Sequence, residues 1–223
     1  EDFSQNEGFI WYDGELVEWK DTKIHVLTHG LHYASSVFEG ERCYDGKIFR
    51  EIEHTQRLHH SANTLGFEIP YSVEEICEIR KIVLKANNIT NGYIRPVAWR
   101  GSEMMGISAQ RNKIHLAVAA WEWPSYYSPE AKLKGIKLQL TKWRRPSPET
   151  APISTKAAGL YMICTLAKHE AESNGYEDAL MLDYRGYIAE TTSANIFLVI
   201  DNEIHTPLAD CFLNGITRQE AIR

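Results

Sequence analysis

The stretch Ile114-His-Leu-Ala-Val-Ala-Ala120 limits the possible folds most. It is almost wholly apolar and shows no polar alternation. A strand of this kind has no face to offer water, so it belongs inside a sheet that is covered. A second strong strand, Tyr93-Ile-Arg-Pro-Val-Ala-Trp99, follows the Asn91-Gly92 turn. Before these, Phe9–Tyr12, Asp13-Gly14 and Glu15–Val17 read as strand, tight turn and strand, and Arg42–Tyr44 and Ile48–Arg50 flank Asp45-Gly46 as a second hairpin. Ile24–Leu27 is a further candidate strand. Helices are predicted over Glu53–Leu65 and Val73–Asn87, the second opened by a Ser72/Glu75 capping box and carrying Ile76, Ile79 and Leu84 on its apolar face.

The second half reads differently. Trp123-Pro-Ser-Tyr-Tyr-Ser-Pro129 has the composition of a linker. After it, Ile136–Leu140 alternates as a strand, and a helix carries Leu160, Ile163, Cys164, Ala167 and Ala171 at helical spacing, stopping at Asn174-Gly175. Strands at Asp178–Leu182, Tyr187–Ala189, Asn195–Ile200 and Glu203–Thr206 complete the pattern. Helices interrupt strands irregularly, which predicts an α+β protein and not a doubly wound sheet. We place an N-terminal domain at 1–123, an interdomain linker at 124–135 and a second domain at 136–223. The chain has no starting Met and stops at Ala221-Ile-Arg223, early in what reads as a new helix; residues beyond Arg223 are therefore expected.

Composition excludes several classes. Hydrophobic residues make up 43% and charged residues 24%, as in a globular domain, and a net charge of -6 gives no footprint for nucleic acid. No apolar run is long enough to span a membrane, and the N-terminus has no signal-peptide pattern. The four cysteines lie far apart, without a Cys-x-x-Cys pair, as expected of reduced thiols in a cytoplasmic protein. His25, His29 and His32 invite a metal reading, but nothing nearby completes a ligand set, and structural roles are expected for them.

The candidate chemistry centres on Lys156, placed by this reading at the entry of the helix that follows Pro152. A cation is unfavourable at a helix N-terminus, and the same field favours the neutral amine that Schiff-base chemistry needs. Leu213-Asn-Gly-Ile-Thr-Arg-Gln-Glu220 offers a glycine turn and a Thr217/Glu220 capping box, a helix start suited to phosphate. Glu190 stands among small hydroxyl residues and could bond a ring nitrogen. Arg57 has the planar fork that suits a phosphate. Each has a plain alternative: a solvated lysine, an ordinary capped helix, a turn glutamate, an arginine on a wet helix face. Together they suggest a pyridoxal phosphate site, with no metal.

Longer patterns carry a resemblance. Glu190-Thr-Thr-Ser-Ala-Asn195-Ile-Phe197, then Ile204-His-Thr206 and Leu213-Asn-Gly215-Ile216-Thr217-Arg218, are similar to the signature of the fold-type IV pyridoxal phosphate enzymes. Leu31-His-Tyr33-Ala-Ser-Ser-Val-Phe38-Glu39-Gly40-Glu-Arg42, His54-Thr-Gln-Arg57-Leu58 and Tyr93-Ile-Arg95-Pro96 resemble the branched-chain amino acid aminotransferases within that family. The resemblance runs over nearly the whole chain. It implies a smaller N-terminal α/β domain and a larger domain with a barrel-like sheet, whose C-terminal part is missing here. It implies Lys156 as the Schiff-base lysine and proton carrier, Glu190 at the pyridine nitrogen, Tyr161 at the phenolic oxygen, and Arg57 with the N–H groups of Ile216 and Thr217 at the phosphate. Ser193, where the family often has glycine, would lie close to the cofactor. Tyr93, Arg95, Phe38 and Trp123 would line the substrate pocket, and Tyr33 would reach it from a neighbouring subunit, in a homodimer or higher homo-oligomer. The implied reaction is ping-pong: L-leucine, L-isoleucine or L-valine leaves its amino group on the cofactor, and 2-oxoglutarate collects it as glutamate. A further phosphate- and carboxylate-binding turn of the family would lie beyond Arg223. The rivals are a D-amino acid aminotransferase or aminodeoxychorismate lyase of the same fold, a cofactor-free Schiff-base aldolase, and a non-catalytic binding protein.

Overall fold

The computed structural model describes residues 2–123 and 129–223. They form two compact units: residues 2–123 with 156–159, and residues 129–155 with 160–223. The chain therefore leaves the second unit at Lys156 and re-enters it at Leu160. Residues 124–128, the first part of the expected linker, lie outside the described residues; Pro129–Lys134 is a helix.

The first unit is a seven-stranded antiparallel sheet with helices. Its strands are β1 (Phe9–Tyr12), β2 (Glu15–Glu18), β3 (Ser36–Phe38), β4 (Glu41–Tyr44), β5 (Lys47–Ile48), β6 (Gly92–Arg100) and β7 (Ile114–Trp121), in the order β2-β1-β7-β6-β4-β5, with β3 also on β6. β6 and β7 pair along their whole length, from Tyr93↔Trp121 to Arg100↔Ile114. β7 is flanked by β6 and β1, the interior position its apolar run demands, and Leu116 and Val118 are fully buried. α1 (His29–Tyr33) precedes β3, and α2 (Glu51–Thr64) and α3 (Val73–Ala86) follow β5. The Ser72/Glu75 capping box is formed. Leu58 and Ala62 of α2 and Ile76 and Val83 of α3 have no exposed surface. Each fully buried leucine or isoleucine contributes about 2 kcal/mol.

β6 carries Pro96 in its interior. Phe38 pairs with Val97 and Glu41 with Ile94, so Glu39 and Gly40 fall opposite Pro96 and Arg95. Glu39 donates its N–H to the Pro96 carbonyl at 2.9 Å. Proline has no N–H to return the bond, and the ladder breaks there between β3 and β4. That break sets Glu39 at a fixed point on the sheet.

The second unit contains α4 (Pro129–Lys134), β8 (Leu138–Arg145), α5 (Met162–Ser173), β9 (Asp178–Asp183), β10 (Ile188–Thr191), β11 (Leu198–Ile200), β12 (Glu203–His205) and α6 (Ile216–Ile222). β8 and β9 are parallel, as a strand–helix–strand crossover requires, and β10 is antiparallel to β9. Ala167 and Ala171 of α5 meet Ala179 of β9, with Trp143 against them. β11 and β12 form a two-stranded ribbon.

Four expectations need correction. Ile24–Leu27 is not a strand: the chain turns there, with Thr28 N–H bonded to the His25 carbonyl and Val26 67% exposed. β8 runs on through Thr141–Arg145, where Thr141 and Arg145 turn inward and are buried while Lys142 and Arg144 face outward. Lys156 is not on a helix: α5 begins at Met162 after a 3-10 turn over Ala158–Tyr161, and residue 157 is bridged to Val37 as extended chain. The dipole argument for Lys156 therefore falls. The Thr217/Glu220 capping box is also absent: Gly215 is the N-cap of α6, and Thr217 lies inside the helix.

Candidate active site

What holds Lys156 is its backbone, fixed from two sides within the first unit. Its N–H donates to Ser61 Oγ on α2 at 2.9 Å, and its carbonyl accepts from Phe38 N–H on β3 at 3.2 Å. Ala157 forms a bridge with Val37. Gly159 passes so close to α1 that a Cβ there would meet Ala34 Cβ at 3.1 Å, which favours the small residue. With the backbone set, Lys156 Nζ lies 4.9 Å from the centre of the Phe38 ring. An ammonium over an aromatic face is stabilised by about 0.5–2 kcal/mol.

Phe38 joins that lysine to most of the expected substrate group. Arg95 Cζ lies 4.7 Å from the Phe38 ring centre and 5.2 Å from that of Tyr93, and Arg95 Nη2 donates to Tyr93 Oη at 2.9 Å. Tyr93 packs edge-on against Trp123, with ring centroids 4.8 Å apart. Arg42 Nη1 donates to the Trp123 carbonyl at 2.9 Å. Lys156, Phe38, Arg95, Tyr93 and Trp123 thus form one continuous chain of contacts. Tyr93 is close to Gly40, where any Cβ would overlap the tyrosine hydroxyl. Tyr33 is half exposed, and its ring packs on His29 at 4.6 Å.

Arg57 lies on α2 one turn before Ser61. Its Nε and Nη2 donate to the two oxygens of Glu39 at 2.6 and 2.7 Å, and His54 Nδ1 lies 2.7 Å from Glu39 Oε2. Glu39 has no exposed surface. Burial pushes its carboxyl up, but the hydrogen bonds from Arg57 and His54, and then their charges, outweigh it and hold the group at about 2. Beside it, Arg80 of α3 binds Glu41, and burial is the larger influence there, pushing Glu41 up against the pull of Arg80.

The remaining expected residues belong to the second unit. Glu190 follows a register shift in the β10–β9 ladder, a local irregularity that re-aims a side chain. Its carboxylate is 12% exposed and lies 3.3 Å from Arg145 Nε. Arg145 Nη1 also donates to the Leu160 carbonyl at 3.3 Å, next to Tyr161, the N-cap of α5. Asn195 connects the parts: Nδ2 lies 3.4 Å from Glu190 Oε2 and donates to the Leu213 carbonyl at 3.1 Å, and Oδ1 accepts from Gly215 N–H at 3.2 Å. A Cβ on Gly215 would overlap Asn195 Oδ1. No side chain caps α6 at Gly215; Ile216 is buried, Thr217 exposed, and Ser193 exposed between Thr192 and Ala194.

Glu39, His54, Ser61, Arg145 and Asn195 hold the expected residues in place without being expected themselves. The spacing of His54, Arg57 and Ser61 puts them on one helical face, which was a usable signal. Arg145 had none, because its partners come from distant stretches. The histidines around α1 have partners in the protein: His29 contacts Ser35 Oγ and the distant Gly106 carbonyl, and His32 contacts the Val26 carbonyl. All four cysteines are free thiols, and no helix among the described residues is long and apolar enough to cross a membrane.

The amino-transferase class IV family model matches residues 36–223. A probable branched-chain-amino-acid aminotransferase of Rickettsia conorii is 49% identical over 213 residues, 96% of this chain and 72% of that protein. The solved T.th. branched-chain amino acid aminotransferase with pyridoxamine 5'-phosphate superposes with a TM-score of 0.94 at 40% identity, over 98% of this chain and 73% of that one. The same enzyme complexed with N-(5'-phosphopyridoxyl)-L-glutamate gives 0.91 at 39%, over 98% and 72%. Complexed with 4-methylvaleric acid it gives 0.90 at 39%, over 97% and 72%.

Proposed function

The chain belongs to the amino-transferase class IV family, among the branched-chain aminotransferases, and we propose that it exchanges the amino group between L-leucine, L-isoleucine or L-valine and 2-oxoglutarate by a ping-pong route with pyridoxal phosphate. The observation that carries this is the contact chain from Lys156 through Phe38 to Arg95 and Tyr93, in which one apolar ring is contacted by both an amine and a guanidinium. When bound, pyridoxal phosphate supplies the aldehyde that takes the amino group and a ring that accepts the electron pair released at the substrate α-carbon.

The residues present suit that group. Arg57 Nη1 is buried with no hydrogen-bond partner among the described residues, and a phosphate oxygen would satisfy it. Ile216 and Thr217 would add the N–H groups of the first turn of α6, and Gly215 leaves that turn without a side chain. Glu190, its charge balanced by Arg145, would accept from the ring N–H. Tyr161 would bond the phenolic oxygen, and Ser193 would lie beside the cofactor. Lys156 Nζ would carry a proton to and from the substrate α-carbon; its backbone clamps hold it in reach without a helix behind it.

The same pocket must take leucine and glutamate. Phe38 and Trp123 give apolar surface, while Arg95 and Tyr93 give donors for the second carboxylate. Arg95 stays bonded to Tyr93 and over Phe38 when leucine binds, so no charge is stranded. The relative's complexes, one with a glutamate derivative and one with a branched acid, support a pocket of both kinds. Tyr33, half exposed on α1, would enter the site of a second copy, in a cytoplasmic homodimer or higher homo-oligomer.

The test is spectroscopic and kinetic. The protein should be yellow with pyridoxal phosphate, borohydride should bleach it and fix the cofactor to Lys156, and L-leucine with 2-oxoglutarate should yield glutamate. Lys156→Ala should lose the covalent label and the turnover. No visible band with added cofactor would refute the reading; preference for D-alanine as donor would move it to a D-amino acid aminotransferase.

A further inference from the structure

We propose that Glu39 is a positioning residue for Arg57: with His54, it fixes the guanidinium so that the Nη1 side is kept for the phosphate of the cofactor. This rests on the reading that Arg57 receives that phosphate.

A guanidinium is a rigid plane with five N–H donors. In Arg57 the Nε and Nη2 side is taken by Glu39 in the two-point fork that gives arginine and carboxylate their strongest geometry. The Nη1 atom is buried and has no partner among the described residues. The neighbouring Arg80 supplies a contrast within the same unit. It also turns Nε and Nη2 toward a buried glutamate, Glu41, but its Nη1 donates to Thr55 Oγ1 at 2.6 Å. An arginine used purely as a brace has its Nη1 satisfied from within the protein. Arg57 is braced more fully, on both oxygens of Glu39 where Arg80 uses only Oε1 of Glu41, and its Nη1 is not satisfied.

Glu39 is suited to hold a plane still. Its backbone N–H is bonded to the Pro96 carbonyl at the ladder break, and its side chain has no exposed surface. His54 adds a donor to Oε2, one helical turn before Arg57. Helix α2 and the sheet are therefore tied together at the carboxylate, and the guanidinium cannot rotate about its long stem without breaking two charge-assisted bonds. An arginine held this way meets a phosphate without first losing side-chain freedom.

The experiment titrates the protein with pyridoxal phosphate and with pyridoxal, which lacks the phosphate, and follows absorbance. In the unaltered protein the phosphate should strengthen binding strongly. Glu39→Gln should weaken pyridoxal phosphate at least about tenfold, as loss of a charge-assisted bond implies, and change pyridoxal less than twofold. Arg57→Met should erase the same increment, and the double variant should lose no more than Arg57→Met alone. Should Glu39→Gln fail to fold, His54→Gln decides, with the ratio of the two affinities falling about threefold. A ratio unchanged in whichever variant folds, or both ligands weakened equally, overturns the proposal. The unaltered protein binding neither ligand would overturn the cofactor reading instead, and Arg57→Met keeping the full increment would overturn the role of Arg57.

Discussion

Arg80→Met should destabilise the first unit far more than an ordinary substitution. Arg80 and Glu41 have no exposed side-chain surface, and their closest contact is 2.6 Å. Removing the guanidinium leaves a buried carboxylate without its cation, which costs about 3–5 kcal/mol. Thr55 Oγ1 also loses a bond from Arg80, worth about 1 kcal/mol. Replacing both members, with Glu41→Leu and Arg80→Met together, removes the stranded charge and should return to within about 2 kcal/mol of the starting stability. Urea unfolding followed by circular dichroism gives the double-mutant cycle. The cost should also depend on pH. Without Arg80, burial raises the Glu41 carboxyl further above its unfolded value, so the penalty is small in acid and grows as pH rises above that unfolded value. A single-variant loss below about 1 kcal/mol, or a double variant no better than Arg80→Met, would show that this pair is not the buried brace described.

Other expectations follow from the same geometry. Gly40→Ala should displace the Tyr93 hydroxyl and break its bond from Arg95, raising KM for leucine and 2-oxoglutarate while cofactor affinity holds; an unchanged KM would place the substrate elsewhere. Arg145→Met should leave the Glu190 carboxylate, 12% exposed, without its guanidinium, costing about 1–3 kcal/mol in thermal or urea unfolding, and a neutral result would remove Arg145 from the site. Glu39 sits below its unfolded value, so its stabilisation is complete above about pH 4.5 and is lost as pH falls toward 2, on the order of 3 kcal/mol. The stability gap between the unaltered protein and Glu39→Gln should accordingly close over that interval, and a gap constant with pH would contradict the ion pair.

Local patterns carried the fold well where one segment decides its own state. The apolar run of β7 could only be interior, and the Ser72 cap marks the start of α3 because both capping bonds lie within four residues. Patterns failed where a distant partner decides. Lys156 precedes a run with helical periodicity, yet its backbone is tied to Phe38 and Ser61, far away in the chain, and that bonding is incompatible with a helix. Arg145 ends a stretch that reads as polar, and its inward turn answers to Glu190 and Leu160. Thr217 and Glu220 fit the capping-box spacing, but Gly215 takes the cap two residues earlier, where Asn195 holds its N–H. Motif spacing records which residues are present; the long-range hydrogen bonds determine which conformation each can keep.

Helix α2 shows why such partners matter to the chemistry. His54, Arg57 and Ser61 recur at three and four residues, so they share one stripe along with the buried Leu58. Ser61 fixes the lysine backbone, and Arg57, four residues earlier, is about 6 Å away along the helix axis. A helix of this length is stiff because every internal N–H is bonded, so the separation between the lysine anchor and the phosphate donor is set by its pitch and not by a loop. Glu39 then adds the one restraint that pitch cannot supply, the rotation of the guanidinium about its stem. Lysine position, arginine position and arginine orientation thereby come from one helix and one carboxylate, both anchored on the β3–β6 edge of the sheet. A substitution that moved α2 as a body would therefore strain the sheet-side anchors of all three at once, the Lys156 carbonyl on Phe38 and the Arg57 fork on Glu39.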